Sequence, residues 1–114
     1  MSAITTHVLD TARGVAAAGV GVVLDRRADD GRWDHVGRGH TDADGRLRTL
    51  YPAGAPLQPG VYRLTFDTQR YFDAQDVETF HPEVVVVFET AEGEAHYHVP
   101  LLLAPFGYTT YRGT

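Results

Sequence analysis

Hydrophobic and polar positions alternate over short segments of the chain, and turn-forming residues separate these segments. Because successive side chains of a strand point to opposite faces, this alternation predicts strands with one buried face. Seven or eight short strands are typical of a β-sandwich. The predicted strands cover residues 4–10, 20–26, 33–39, 61–67, 83–89, 96–103 and 107–112, with a brief strand in 47–51.

Three segments depart from simple alternation. Residues 84–88 read Val-Val-Val-Val-Phe, a continuous apolar run that predicts a strand covered on both faces. Residues 68–76 are the one predicted helix, capped by Asp67 or Thr68. Pro100 lacks a backbone donor, so we expect its strand at a sheet edge or with a bulge, and an exposed edge would favour a covering partner subunit.

Composition narrows the classes of partner. A chain of 114 residues has the length of a single domain, here predicted over 1–114. The formal charge is −5 and all 10 basic residues are arginines, scattered rather than grouped in a stripe, which disfavours nucleic acid. Neither a signal peptide nor a membrane-spanning stretch is visible, so we expect a cytoplasmic protein without a membrane partner. Cysteine is absent, so stability must come from packing or subunit association.

The last 19 residues combine an apolar run with titratable side chains. His96 and His98 point the same way if their segment is a strand. A plain polar face, a metal site completed by a third ligand, and acid–base chemistry near neutral pH are all compatible with this pair. Structural zinc is disfavoured because cysteine is absent.

Two further residues are candidates for chemistry. Arg46 closes a tight Asp-Gly turn, where it is either a solvated surface side chain or a fixed cation for an anionic ligand. His7 lies within a predicted strand, where a buried structural histidine is the common case. Ser2 is the only serine, so a serine or cysteine nucleophile is disfavoured and activated water is the economical chemistry.

The chain resembles the 5-hydroxyisourate hydrolases, a transthyretin-related family, over nearly its whole length. Three motifs carry the resemblance: His7-Val-Leu-Asp-Thr11, Thr41-Asp-Ala-Asp-Gly-Arg46, and the segment from His96 to the final Tyr-Arg-Gly-Thr. The family's ending is Tyr-Arg-Gly-Ser, so Thr114 replaces its serine; threonine keeps the hydroxyl and adds a methyl group. Transthyretins themselves share the sandwich but lack these histidine and arginine positions.

The resemblance implies an all-β protein, a transthyretin-like β-sandwich of two four-stranded sheets with one short helix. It implies a homotetramer, a dimer of dimers, with active sites in clefts at the interface between the dimers. The implied reaction is hydrolysis of the N1–C6 ring amide of 5-hydroxyisourate to 2-oxo-4-hydroxy-4-carboxy-5-ureidoimidazoline, a step of urate breakdown. No metal ion or organic cofactor is required.

The resemblance also assigns residues. His98 is the expected base, and His7 helps it to position and deprotonate water. Arg46 is expected to hold the anionic ring. His96, the other histidine of the motif, ranks below these. Matched to the family position by position, the catalytic residues are His7, Arg46, His98 and Tyr111, and the substrate-binding residues are His7, Arg46, Thr110, Tyr111 and Thr114.

Two other functions remain open at this point. A non-catalytic carrier built on the same sandwich would bind a small aromatic anion, but it would not need His98 and Arg46 together. A metal-dependent hydrolase would use His96 and His98 as ligands, and activity after chelation would distinguish it.

Overall fold

The computed structural model describes residues 2–114; Met1, the first residue of the predicted domain, lies outside the described residues. The predicted all-β class is confirmed, with one short helix between strands. Within the described residues the elements are β1 (Ile4–Asp10), β2 (Val15–Ala16), β3 (Gly21–Arg27), β4 (Trp33–His40), β5 (Arg46–Leu47), β6 (Gly60–Asp67), α1 (Thr68–Asp73), β7 (Val84–Thr90), β8 (Tyr97–Ala104) and β9 (Gly107–Thr110).

The strands form two sheets. The first sheet has the order β2-β1-β8-β9, and the two-residue β5 adds to it by pairing with β1. The second sheet has the order β4-β3-β6-β7. In the first sheet, β1 and β8 run parallel, which brings the start and the end of the chain side by side. The predicted sandwich of two sheets is therefore confirmed. The first sheet has five strands rather than the expected four, because β2 is a short strand that the pattern did not indicate.

The core lies between the two sheets and follows the period-two pattern. Residues two positions apart, such as Val22 with Leu24 in β3 and Leu64 with Phe66 in β6, are almost completely buried. From the first sheet, Val8 and its neighbours on the same face contribute to the same cluster. Burying a side chain of this size contributes about 1.5–3 kcal/mol. The outward positions of each strand are thus left for polar groups.

The prediction that the strand of residues 83–89 is covered on both faces is wrong. β7 is the edge of the second sheet, and Val85 and Val87 are 40% and 54% exposed, while Val84 and Val86 enter the core. A run of β-branched residues satisfies strand packing on either face, so composition alone does not tell which face is covered.

The helix is shorter than predicted. It spans Thr68–Asp73, and the side chain of Asp67 caps it by accepting a hydrogen bond from the Arg70 backbone at 3.2 Å. Asp76, inside the predicted range, has a left-handed φ of 58° and so cannot continue the helix. This helix is far too short to cross a membrane, and no other helix occurs in residues 2–114.

The expectation of an edge or a bulge at Pro100 is also wrong. β8 lies between β1 and β9, and its register with β1 is continuous through the pair His7–Pro100. The backbone N–H that Pro100 lacks matters on the side of β8 that faces β9, where regular pairing stops at Leu101–Thr110. The hydroxyl of Thr110 donates to the Pro100 carbonyl at 2.8 Å there. Pro100 therefore gives no indication of a partner subunit.

Candidate active site

A polar cavity of about 360 Å³ opens on the outer face of the first sheet. It lies where the beginning, the middle and the end of the chain meet. Three of the predicted site residues and the lower-ranked His96 line it, together with Thr5, Thr6 and Arg48, which the sequence analysis did not single out. The lining residues are Thr5, Thr6, Arg46, Arg48, His96, His98 and Thr114.

Strand register brings the histidines and the arginine to one face. In β1, His7 is paired with Arg46 of β5 on one side and with Pro100 of β8 on the other. Two residues earlier, Thr5 is paired with His98 of β8. Because positions two apart on a strand share a face, these pairs form adjacent rows on the outside of the sheet. His7 is not among the residues that line the cavity, but it lies on the same face beside Arg46 and close enough to lower the pKa of His98.

The turn before β5 fixes the position of Arg46. A carboxylate oxygen of Asp42 accepts hydrogen bonds from the backbone amides of Asp44 and Arg46, both at 2.9 Å. Gly45 adopts a φ of 77°, and a side chain at this position would collide with the Val8 carbonyl. The turn is attached to β1 because Val8 donates to the Gly45 carbonyl at 2.7 Å. The Asp-Ala-Asp-Gly-Arg motif therefore holds the backbone of Arg46 in place beside β1.

The final residues pack directly on His98. The Gly113 amide donates to the His98 carbonyl at 2.8 Å, which continues the pairing beyond β9. A Cβ at Gly113 would lie 2.8 Å from Cδ2 of the His98 ring and 3.2 Å from Pro100. Glycine is required here because only a residue without a side chain lets the last segment approach the ring so closely.

Thr5 connects the two histidines of the C-terminal motif. Its hydroxyl lies 2.8 Å from Nδ1 of His98 and 3.1 Å from Nε2 of His96. Thr5 itself is 4% exposed. His96 precedes the first residue of β8, so the predicted strand over 96–103 begins one residue too early. The two imidazoles nevertheless converge, as the sequence predicted, on a hydroxyl that it did not identify.

The pKa of His98 is lowered from the usual value of 6.5. Partial burial of the ring is the main cause, since desolvation penalises the imidazolium. The positive charge of Arg46 is the next cause, and His7, His96 and Arg48 add smaller effects in the same direction. His98 is therefore neutral at pH 7 and able to accept a proton.

His7 is held in one tautomer. Its Nε2 lies 2.9 Å from the backbone carbonyl of Asp44. A carbonyl oxygen only accepts, so Nε2 carries the proton and donates it, and the lone pair of the neutral ring is on Nδ1. The Asp42–Arg46 turn thus orients His7 as well as Arg46.

Tyr111 and Thr110 lie elsewhere on the single chain. They line a separate, mainly apolar cavity of about 310 Å³ between the edges of the two sheets, beside Val86 and Val99. Tyr111 is 54% exposed. Arg112 also turns away from the histidines, with its guanidinium 4.7 Å from the centre of the Tyr97 ring. The histidine cavity therefore assembles from one chain without the two predicted residues that precede Arg112.

The donor set of the cavity suits an anion better than a metal ion. Within residues 2–114, no group of three or more histidine, cysteine, aspartate or glutamate side chains has an arrangement that could hold a metal. In the same part of the chain, neither Arg46 nor Arg48 has a carboxylate within ion-pairing distance. Two guanidinium groups beside the neutral ring of His98 create a positive potential that attracts a small anion.

Comparisons with known proteins agree with this geometry. Residues 4–113 match the model of the HIUase/Transthyretin family. The chain is 46% identical over 111 residues to the 5-hydroxyisourate hydrolase of Salmonella dublin, covering 97% of this chain and 80% of that protein. The structure of Klebsiella pneumoniae 5-hydroxyisourate hydrolase superposes with a TM-score of 0.85 at 34% identity, covering 99% of this chain and all of that one.

The same fold also occurs in a thyroxine-bound transthyretin. Sea bream transthyretin in complex with thyroxine superposes with a TM-score of 0.91 at 35% identity, covering 98% of this chain and 95% of that one. Structural similarity therefore does not separate the hydrolases from the transthyretins, whereas the curated relative and the histidine–arginine cavity favour the hydrolases. The match over 4–113 establishes that this chain belongs to the HIUase/Transthyretin family.

Proposed function

We propose that this protein hydrolyses 5-hydroxyisourate to 2-oxo-4-hydroxy-4-carboxy-5-ureidoimidazoline in urate breakdown. One observation carries the proposal: a neutral His98 lines one cavity with Arg46, which has no carboxylate at ion-pairing distance in residues 2–114, and an oriented His7 lies beside Arg46 on the same face. The substrate is a urate-like anion with a cyclic amide. Such a substrate needs a cation to hold it, a base to activate water, and no nucleophilic side chain.

Arg46 binds the substrate and stabilises the transition state. A guanidinium presents planar, paired donors that match the carbonyl and ring nitrogen of a urate-like edge. When water attacks C6, negative charge develops on the carbonyl oxygen, and the guanidinium of Arg46, whose backbone is held at the cavity by Asp42, stabilises that charge. Arg48 adds to the positive potential from the same side of the cavity.

His98 acts as the general base. It takes one proton from a water molecule while the water oxygen forms a bond to C6 of the ring. The tetrahedral intermediate then collapses, the C6–N1 bond breaks, and the imidazolium returns the proton to N1. The product carries a carboxyl group at the former C6, so all atoms of one water molecule are accounted for. Because the lowered pKa keeps His98 neutral at pH 7, the base is present in its active form.

His7 helps to position the attacking water. Its tautomer leaves Nδ1 as an acceptor, so His7 holds one hydrogen of a water molecule while His98 removes the other. We further propose that Tyr111, Thr110 and Thr114 contact the substrate. Thr114 lines the histidine cavity, which supports its part of the assignment.

We propose a homotetramer, a dimer of dimers, as the active form. Large apolar side chains exposed on the single chain support association, among them Phe80 at 71% and Phe106 at 67%. The open edge of β7 is a second feature that favours pairing with another copy. Sedimentation equilibrium tests the assembly, and a monomer at assay concentration would contradict it. We also propose that residues 1–114 act as one hydrolase domain in the cytoplasm.

The function is tested with fresh 5-hydroxyisourate made by urate oxidase. We expect the wild-type protein to accelerate the decay of substrate absorbance, and His98→Asn to lower kcat by about 10²–10⁴-fold because it removes the base. The fold of the variant is checked by its melting temperature. Binding of a urate analogue without any acceleration by the wild-type protein would instead indicate a carrier.

A further inference from the structure

Thr5 is in contact with both histidines of the C-terminal motif, yet no step above uses it. Its hydroxyl is within hydrogen-bond distance of His98 Nδ1 and of His96 Nε2. The side chain is shielded from solvent, so bulk water does not compete for these bonds. A hydroxyl carries a single proton, so it donates to one ring and must accept from the other.

The two possible directions have opposite consequences for His98. If Thr5 donates to His98 Nδ1, the neutral ring carries its proton on Nε2 and has no lone pair for water. If His98 Nδ1 donates to Thr5, then Nε2 has the free lone pair and Thr5 donates onward to His96 Nε2. The direction of this pair of hydrogen bonds therefore decides whether His98 is a base.

The charges around the cavity favour the second direction. Nδ1 of His98 faces Thr5, and within residues 2–114 no hydrogen bond engages Nε2. Arg46 and Arg48 line the same cavity, and both are donors only. A lone pair directed into a positive potential is more stable than an N–H dipole directed into it. His96 then accepts through Nε2 and carries its own proton on Nδ1.

We propose that Thr5 is a positioning residue that fixes His98 in the Nδ1–H tautomer, with His96 as the acceptor that sets the direction of the hydroxyl. This inference rests on the proposed role of His98 as base. It gives His96 a specific task and explains why the motif has two histidines. His7 needs no such relay, because the carbonyl of Asp44 can only accept.

Nitrogen-15 NMR of imidazole-labelled wild-type protein tests the proposal directly, at a pH above the titration of the histidines. Long-range couplings identify which ring nitrogen carries the proton. We expect Nδ1–H for both His98 and His96. An Nε2–H tautomer at His98 would overturn the proposal, whatever the activity of any variant, so this measurement does not depend on a variant that folds.

Variants of Thr5 add a kinetic test. Thr5→Val keeps the shape but removes the hydroxyl, and we expect kcat to fall by about 10–100-fold with little change in KM. Thr5→Ser should restore both kcat and the tautomer. Thr68→Val is the matched control, because it also removes a buried hydroxyl, one that donates only to the His81 carbonyl at 2.9 Å.

The outcomes separate this proposal from the proposed function. If His98→Asn is inactive while Thr5→Val keeps the wild-type kcat and the Nδ1–H tautomer, the function stands and the role of Thr5 is refuted. If His98→Asn retains full activity, His98 is not the base, and the proposed mechanism fails. A Thr5→Val variant that loses activity but keeps the Nδ1–H tautomer would also overturn the positioning role.

Discussion

The outer faces of the two sheets each carry a group of arginine and histidine side chains, and the two groups differ in whether a carboxylate pairs with the arginine. On the second sheet, Asp25 accepts a hydrogen bond from Arg63 at 2.9 Å and lies 3.7 Å from His35. The Arg63 guanidinium also stacks over the Trp33 ring at 4.4 Å. On the first sheet, Arg46 lies among histidines with no carboxylate partner in residues 2–114.

This difference determines whether the charge of an arginine is used within the chain or is available to a ligand. An arginine with a carboxylate and an aromatic face has its charge satisfied within the chain, and it contributes to stability. An arginine fixed by its backbone but left without a counter-ion keeps its charge available to a ligand. Arginine and histidine occur in both groups, and a carboxylate at ion-pairing distance is the feature that differs between Arg63 and Arg46.

The largest expected effect separates Arg46 from Arg63. Arg46→Ala should lower kcat/KM by about 10²–10³-fold, because it removes the cation that stabilises the developing oxyanion. It should change the free energy of unfolding little. Arg63→Ala should keep kcat/KM while lowering that free energy by about 1–3 kcal/mol, because it leaves Asp25 without its partner. Substrate decay and urea denaturation of both variants measure the two quantities.

Two outcomes would break the comparison. Equal loss of activity in both variants would mean that the second sheet also takes part in catalysis or assembly of the site. Normal activity of Arg46→Ala would mean that the unpaired guanidinium is not the anion anchor.

A smaller effect is expected where the last segment packs on the site. Gly113→Ala places a methyl group against the His98 ring, and overpacking of this kind costs about 1–3 kcal/mol. We expect a several-fold loss of kcat as the ring shifts. Gly107→Ala is the control, because a Cβ there meets no atom within 4 Å. Similar kinetics for the two variants would show that the close approach of Gly113 does not position His98.

The sequence predicted the sandwich because alternation and turn residues are local signals, and β3 and β6 follow them closely. The meeting of His7, Arg46 and His98 was predicted from family motifs. Spacing along the chain does not encode it, since it depends on the parallel pairing of β1 with β8. Thr5 was missed because a threonine in an alternating strand looks like an ordinary outward position until its partner strand is known.

Other errors arose where partners decide the outcome. Arg48 gave no signal of its own, because it follows β5 and becomes relevant only beside Arg46 in the cavity. The exposed face of β7 and the central place of Pro100 depend on sheet order, which no local pattern specifies. Local preference therefore predicted the elements, whereas long-range pairing determined which side chains form the site.

The smallest effect concerns pH and sharpens the electrostatic part of the comparison. Because partial burial and then Arg46 lower the pKa of His98, the acidic limb of kcat/KM should lie below the usual imidazole value of 6.5. Among the charges that lower the pKa of His98, the guanidinium of Arg48 has the smallest effect. Arg48→Gln removes it and should move this limb towards higher pH. Arg38→Gln, on the outer face of the second sheet, is the control and should leave the limb in place. A limb that does not move in Arg48→Gln would show that solvent screens this guanidinium from the ring.

The same shift makes a prediction for stability. At pH values between the lowered pKa of His98 in the folded protein and its usual pKa in the unfolded chain, the unfolded chain binds more protons than the folded protein. Acidification in this range therefore favours unfolding. The stability due to neutral His98 is fully present above pH 6.5 and is lost as the pH falls through the window below that value. Asp42, whose pKa is lowered mainly by the Arg46 backbone amide, loses its contribution only below 3.8. In the window just below pH 6.5, the free energy of unfolding of His98→Asn should therefore depend less on pH than that of the wild-type protein. Below pH 3.8, where Asp42 titrates, the two proteins should depend on pH equally. A slope equal to that of the wild type in the window below pH 6.5 would contradict the shift.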